Sequence, residues 1–402
     1  MDRRWDTLHL SLCVIIITAS LSRVSLTMSL PGLLRSSSFR IGGSSRFVQF
    51  WRDPRRVGSD VRFGSQISNF STSSSSAEAN DNNQTQTDDT DPRVLVTSDD
   101  ATGIVHIQLN RPHKLNALDL PMFQAIVDAA RPYVPKGDGT AASSNTPRVI
   151  ILSGKGRAFC SGLDVKSMFS LQNNPIKMTR QLLHRNTNEL ANLAQQVAFV
   201  WRQIPCPVIS ILHGQCYGGG LQIALGTDIR IATQDCKVSI MEGKWGLLPD
   251  MSATVTLREL GIPLDVLKEW TWTAQILDAC NAKEYGLVTH AHDPTYEQAF
   301  DHAQTLATEF VSTKSPDAIA LTKHLYQQTF ASGMSEGKCL QLETHYQKQL
   351  LASWNQMATS GRNFGWKIPY KQTSVTPVEM KDDDEEEHGD NDHKPTSNER
   401  SK

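Results

Sequence analysis

The chain has 402 residues, with 40 Lys and Arg against 42 Asp and Glu and a formal net charge of −2. A balance this close to neutral excludes a chain-wide electrostatic case for nucleic acid as the partner. The seven cysteines form no Cys-x-x-Cys pair, so no zinc site is expected, and they are read as free thiols of a reducing compartment.

Residues 1–70 read as a targeting leader. From 28 to 70 stand Arg35, Arg40, Arg46, Arg52, Arg55, Arg56 and Arg62, many serines, no lysine, and only Asp53 and Asp60 as acids. An Arg- and Ser-rich, acid-poor leader suits organelle import, usually mitochondrial, so the expected location is the mitochondrial matrix. The apolar run Leu10 to Leu21, behind Arg3 and Arg4, opens a plastid or secretory alternative, which a start at Met28 would remove. That run is short for a membrane span, and none is expected. The chain ends Arg400-Ser401-Lys402, without the terminal leucine of a peroxisomal address.

Residues 71–92 form a polar linker, too poor in apolar groups to pack. The folded domain is expected over 93–371, with a core over 93–260 and a helical region over 261–371. Val94 to Val96 and Ile104 to Leu109 read as strands around the turn Asp99 to Gly103. Pro121 to Tyr133 has helical spacing with proline at its start. Lys136 to Pro147 reads as a loop insertion, and Val149 to Leu152 as a strand buried on both faces. One helix over Lys177 to Trp201 precedes a strand over Val208 to Leu212; Ile229 to Ala232 and Val238 to Ile240 continue the alternation. From Asp265 to about Trp354 the chain reads as mostly helical. Strands alternating with helices imply an α/β core with parallel pairing. Residues 372–402 form an acidic tail, and its charge run Lys381 to Asp392 is expected to stay solvated.

The chemistry concentrates in His213-Gly214-Gln215-Cys216-Tyr217-Gly218-Gly219-Gly220-Leu221-Gln222. Three glycines between a strand and a helix let the backbone approach a ligand with its N–H groups free to donate. Downstream, Glu242 and Asp250 place two carboxylates eight residues apart in an otherwise apolar stretch. Donors beside acids suit a reaction that builds negative charge on a carbonyl oxygen and moves protons.

Four markers stand in order: Leu109-Asn110-Arg111-Pro112-His113-Lys114-Leu115-Asn116-Ala117-Leu118, Ala158-Phe159-Cys160-Ser161-Gly162-Leu163-Asp164, the triple-glycine stretch, and Glu242 with Gly246 and Pro249. With these the chain resembles the crotonase superfamily, the enoyl-CoA hydratase/isomerase group, over about 93–371. The resemblance implies an α/β, ClpP-like spiral of β-β-α units with a helical C-terminal region. It implies association as a homotrimer or homohexamer. It also implies an acyl thioester of coenzyme A as substrate, with no metal or other cofactor.

By that resemblance the N–H groups of Leu163 and Gly219 form an oxyanion hole, and Gly218, Gly220 and Gln222 count among the substrate-binding residues, Gln222 as a hydrogen-bond partner of an acid or of the substrate. Ser161, Gly162, Leu163, Asp164, Val165 and Lys166 would lie along the coenzyme A moiety; Asp164 also suits a helix cap. Arg111 and Lys114 would meet its phosphates. Hydratases of the group carry a glutamate where this chain has Gln222, which has no useful basicity, and a glycine where it has Asp250. Glu242 with Asp250 resembles instead the dienoyl-CoA isomerase branch, although that branch carries an aspartate in place of Gln222. Asp250 is then the proton abstractor and Glu242 the donor, at two ends of a conjugated diene that one side chain cannot easily span. Purely structural roles are a salt bridge from Glu242 to Lys244 or Arg258, and an Asp250 helix cap ahead of Thr254. Trp245, Trp270, Trp272 and Met251 are expected to line or underlie the pocket, with core packing as the competing role of Trp270 and Trp272.

The enzymatic alternative is a hydratase or single-bond enoyl-CoA isomerase relying on Glu242. A non-catalytic or RNA-binding role would need a dense basic helix face, and Lys177, Arg180, His184 and Arg185 give a sparse one.

Overall fold

The computed structural model of the chain describes residues 91–136, 146–168, 175–187, 189–330, 333–373, 375 and 377–378. The expected leader, nearly all of the linker, most of the insertion at 136–147 and the charge run at 381–392 lie outside the described residues.

Two strands open the fold, β1 (Val94–Asp99) and β2 (Ile104–Leu109), paired antiparallel around the Asp99 turn. The Asp99 carboxylate fixes that turn by accepting from Ala101 N–H and from the Thr102 hydroxyl. The helix α1 (Leu120–Ala130) follows, with Asp119 as its N-cap and Pro121 in its first turn. Then comes β3 (Val149–Gly154), in which all six residues are buried. The short α2 (Val165–Met168), α3 (Pro175–Leu183) and α4 (Leu193–Gln203) lead to β4 (Val208–Leu212), which is also wholly buried. β5 (Gln215–Tyr217), α5 (Gly219–Leu225), β6 (Ile229–Thr233) and β7 (Lys237–Ser239) complete the second half of the core.

The expected single helix over 177–201 is two helices. A capping box breaks it: Asn192 accepts from Gln195 N–H while the Gln195 side chain accepts from Asn192 N–H. The C-terminal half contains α6 (Ala253–Thr256), α7 (Leu264–Thr273), β8 (Leu277–Asp278), α8 (Ala279–Glu284), β9 (His290–Asp293), α9 (Tyr296–Thr313), α10 (Pro316–Thr329), α11 (Glu336–Leu350) and α12 (Trp354–Asn363). It is mostly helical as expected, but β9 belongs to the main sheet. Polar histidines at 290 and 292 hid that strand from a reading based on hydrophobic pattern.

The main sheet runs β1-β2-β3-β4-β6-β9, and every pairing after the first is parallel. A second sheet runs β5-β7-β8. Both faces of the main sheet are covered, which explains its continuous apolar strands. On one face Phe123, Ile126, Val197 and Trp201 of α1 and α4 pack with Leu109, Leu152 and Leu212. On the other, Ala299, Ala303 and Ala307 of α9 pack against Val149, Ile151, Ile209 and Ile231. Small residues every four positions bring α9 close to the sheet. β5 runs through Gly218 into the helix start at Gly219, and the end of β7 is tied to the same turn by the bond from Gly218 N–H to Ser239 O, so the glycine-rich marker sits at the edge of the second sheet.

Candidate active site

Three of the four sequence markers are tied together by backbone bonds. Asn116, buried and at φ +54°, is the knot: its Nδ2 donates to Lys155 O, Ala158 O and Phe159 O at 3.0, 2.9 and 3.1 Å. Its Oδ1 accepts from Arg111 N–H at 2.8 Å. The left-handed conformation is one that asparagine tolerates better than most residues. The first marker thereby fixes the loop that carries the second.

Two bonds then set the orientation of Leu163. Leu118 N–H donates to Gly162 O, and Asp164 N–H donates to Leu118 O, at 2.8 and 2.9 Å. Those bonds flank Leu163, so its own N–H points away from Leu118. On that other side lies the glycine turn: a Cβ built on Gly162 would sit 2.9 Å from Tyr217 O and 3.8 Å from the Gly219 nitrogen. Cys160 pairs with the same segment, accepting from Tyr217 N–H and donating to Gln215 O, both at 3.0 Å. Gly218 has φ +50° and ψ −120°, a conformation open to glycine. Gly219 is the first residue of α5, so its N–H has no acceptor within the helix. Leu163 and the first residue of α5, Gly219, thus lie on adjoining segments, each with a backbone N–H to offer. Gly218, Gly219 and Gly220 are buried, and a Cβ on Gly220 would lie 2.5 Å from Cys160 O.

Glu242 opens a short 3-10 turn, Glu242–Trp245, and is 9% exposed. Gln222 Nε2 donates to Glu242 Oε1 at 2.6 Å, while Gln222 Oε1 accepts from Met251 N–H at 2.8 Å. Glu242 Oε2 is buried with no protein hydrogen bond. Burial raises the pKa of this carboxyl above its ordinary 4.5; the charge of Asp250 adds to the rise, and bonds from backbone N–H groups and from Gln222 offset part of it. The turn is seated closely on α7: a Cβ on Gly243 would meet Thr271 O at 2.0 Å. Glu242 therefore makes no salt bridge to Lys244 or Arg258; its partner is Gln222.

Asp250 is solvent-exposed, yet enough protein surrounds it for desolvation to raise its pKa as well. Its side chain does not cap α6, whose N-cap is Ser252 with no side-chain bond. The two carboxylates feel one another electrostatically. Met251, next in the chain after Asp250, is buried, with its sulfur 2.9 Å from a Cβ position on Gly219; Leu118 Cδ1 is 2.8 Å from the same point. Met251 is thus a wall of the site. Trp270 is core, edge-on to Tyr285 at 4.9 Å between ring centres, while Trp245 and Trp272 are exposed.

Arg111 differs from expectation. Its side chain is 5% exposed and lies between Asp164, 2.8 Å from Nη1, and Asp119, 3.4 Å from Nη2. A guanidinium buried between two carboxylates braces the loop and is not presented to a ligand's phosphates. Asp164 is correspondingly an anchor: it accepts from Arg111 and from Ser167 N–H. Burial pushes its pKa up, but those bonds and the charges of Arg111 and Lys114 outweigh it and hold the carboxyl below the usual range. Lys114 and Lys166 are exposed; Ser161, Leu163 and Val165 are half-buried along the same rim, and Gly162 is buried. A cavity of about 1190 Å³ lies elsewhere, lined by Asp228, Lys323 and Phe330 among others, and contains none of these residues.

Residues 99–363 match the family described as enoyl-CoA hydratase/isomerase. The chain belongs to that family. The enoyl-CoA hydratase of Bacillus anthracis has the same fold, with a TM-score of 0.57 at 24% identity, covering 69% of this chain and 99% of that one. Among curated relatives, the mitochondrial Delta(3,5)-Delta(2,4)-dienoyl-CoA isomerase of Homo sapiens is 30% identical over 220 residues, 55% of this chain and 64% of the relative. The mitochondrial methylglutaconyl-CoA hydratase of Mus musculus is 29% identical over 234 residues, 58% of this chain and 68% of the relative. The chain thus spans less than two thirds of the length of the mammalian dienoyl-CoA isomerases it matches. The expected crotonase fold is found. Among the described residues no helix is long and apolar enough to cross a membrane.

Proposed function

We propose that this family member is an acyl-CoA double-bond isomerase that converts a 3,5-dienoyl thioester to its 2,4-isomer. One observation carries the reading. The partner of Glu242 is the amide of Gln222, 2.6 Å away, and the second carboxylate that acts on Glu242 is Asp250. An amide cannot share the activation of a water with Glu242, as the paired glutamates of hydratases do. A separate acid at 250 suits proton removal and proton return at two points along a chain.

In this account the thioester oxygen accepts from Leu163 N–H and Gly219 N–H. The Asp250 carboxylate takes a proton from the carbon next to the carbonyl, and electrons shift into an extended enolate. Two preorganised donors stabilise that charge, each worth on the order of 3 kcal/mol. Glu242, whose carboxyl burial biases toward the protonated form, delivers a proton to the far carbon of the diene. The product has the same atoms as the substrate. Asp250 then holds a proton that Glu242 lacks, and exchange with solvent at exposed Asp250 resets the pair. Lys114 and Lys166 are the exposed cations for the coenzyme's phosphates.

The exposure of Asp250 favours a second reading, a single-bond enoyl-CoA isomerase in which Glu242 alone moves the proton. Offering purified protein a 3,5-dienoyl-CoA, a 3-enoyl-CoA and a 2-enoyl-CoA, with absorbance and mass followed, separates these from hydration. The Arg- and Ser-rich residues 28–70 and the mitochondrial relatives support import into mitochondria, and assembly of three copies or a multiple of three is the association we propose.

A further inference from the structure

We propose that His292, Asp293 and His302 form a binding site for one divalent transition-metal ion, zinc being the simplest case. The site lies outside the machinery described above, where the edge strand β9 meets α9. His302 Nδ1 stands 3.0 Å from Asp293 Oδ2, and His292 Nε2 stands 3.8 Å from Asp293 Oδ1. One ligand atom from each of the three lies within 4.8 Å of the others. Zinc takes imidazole nitrogen and carboxylate oxygen at roughly 2.0–2.2 Å, so tetrahedral ligand atoms stand about 3.3–3.6 Å apart. The Asp293 pairs already bracket that separation. The His292 side chain is 60% exposed, whereas those of Asp293 and His302 are 12% and 22% exposed.

The surroundings hold the ligands in place. Gln234 N–H donates to Asp293 O at 2.9 Å, and Gln234 Nε2 donates to His292 O at 3.1 Å. Both bonds clamp the backbone that carries two ligands, as outer groups do around metal centres. A third imidazole is adjacent: the His290 ring centre is 4.8 Å from that of His302 and 5.9 Å from that of His292. His290 and His292 alternate with buried Ala291 along the strand, so both rings project from one side of it. A donor set of imidazoles with one carboxylate suits zinc, nickel, cobalt or copper; magnesium and calcium prefer oxygen ligands throughout. The bound ion would cross-link the strand that ends the main sheet, next to the bulge between β6 and β9, to the helix packed on that sheet.

The test is calorimetric titration of tag-free, chelator-stripped full chain with zinc chloride, and separately with magnesium chloride. The expected result is one zinc per chain, no magnesium, and X-ray absorption showing nitrogen and oxygen ligands with imidazole character. His292→Ala, at an exposed position that leaves the core intact, weakens binding about 10–100-fold, and His302→Ala weakens it at least as much. Cys280→Ser, which removes an exposed thiol, leaves it unchanged. The proposal is overturned if zinc does not bind, if it binds through sulfur, or if both histidine variants bind as wild type does.

Discussion

Gln222 Nε2 donates to Glu242 Oε1 at 2.6 Å, and Gln222 Oε1 accepts from Met251 N–H at 2.8 Å. One buried side chain therefore holds the acid at one end and the residue following Asp250 at the other. Gln222→Ala removes the side-chain donor of the buried Glu242 carboxyl and the side-chain acceptor of the Met251 N–H. The expected cost is about 1–3 kcal/mol for each group so deprived, read as a lowered denaturant midpoint. Turnover should fall with it, since both carboxylates lose their registration.

Glu242→Gln separates activity from stability. The variant keeps an acceptor for Gln222 but cannot donate a proton as an acid, so turnover should fall about 10²–10⁴-fold. Stability should move the other way. The folded-state pKa of Glu242 is raised, so its carboxyl favours the fold while protonated, and that contribution is lost as pH rises through the folded pKa. Relative to wild type, the variant should gain stability at neutral pH and gain none in acid. Urea unfolding at both pH values checks it.

Much of this was legible in the sequence. The markers, with Asp250 beside the last of them, drew attention to the Leu163, Gly219 and Glu242 segments that the fold brings near one another, because glycine runs and acids in apolar surroundings are local signals. Long-range pairings were not legible. Arg111 looked like a cation for phosphate; its burial between Asp119 and Asp164 depends on a contact 53 residues away in sequence. Asn116 stood in the first marker without any role, although its side chain bonds two carbonyls of the second and that of Lys155 just before it. The helix break at Asn192 could have been read, since Asn192 followed by Gln195 is a capping-box pattern. β9 could not, because its alternation is carried by alanine and aspartate inside and histidines outside.

Asn116→Ala tests how the oxyanion loop is held. It leaves Arg111 N–H and the carbonyls of Ala158 and Phe159 without this partner. We expect a loss of at least about 1–3 kcal/mol in unfolding free energy. In the surviving folded enzyme kcat should drop more than KM rises, because Leu163 N–H shifts away from the position where charge develops. Steady-state kinetics below the new unfolding midpoint measure the split.

The pH profile should be a bell. Asp250 must be ionised to abstract, so activity is lost as pH falls through its raised pKa; Glu242 must be protonated to donate, so activity is lost as pH rises through its own. Because the two groups interact, each limb reports the pair. A profile flat on the alkaline side would remove Glu242 as the donor.

The central claim is isomerisation by two acids, and turnover of a 3,5-dienoyl-CoA in deuterium oxide by wild type and Asp250→Asn tests it most directly. The account predicts a 2,4-dienoyl product one deuterium heavier, labelled at what was the far carbon of the original diene, and a loss of about 10²–10⁴-fold in the variant. A product heavier by one water, or an Asp250→Asn enzyme that turns over as wild type does, would contradict it.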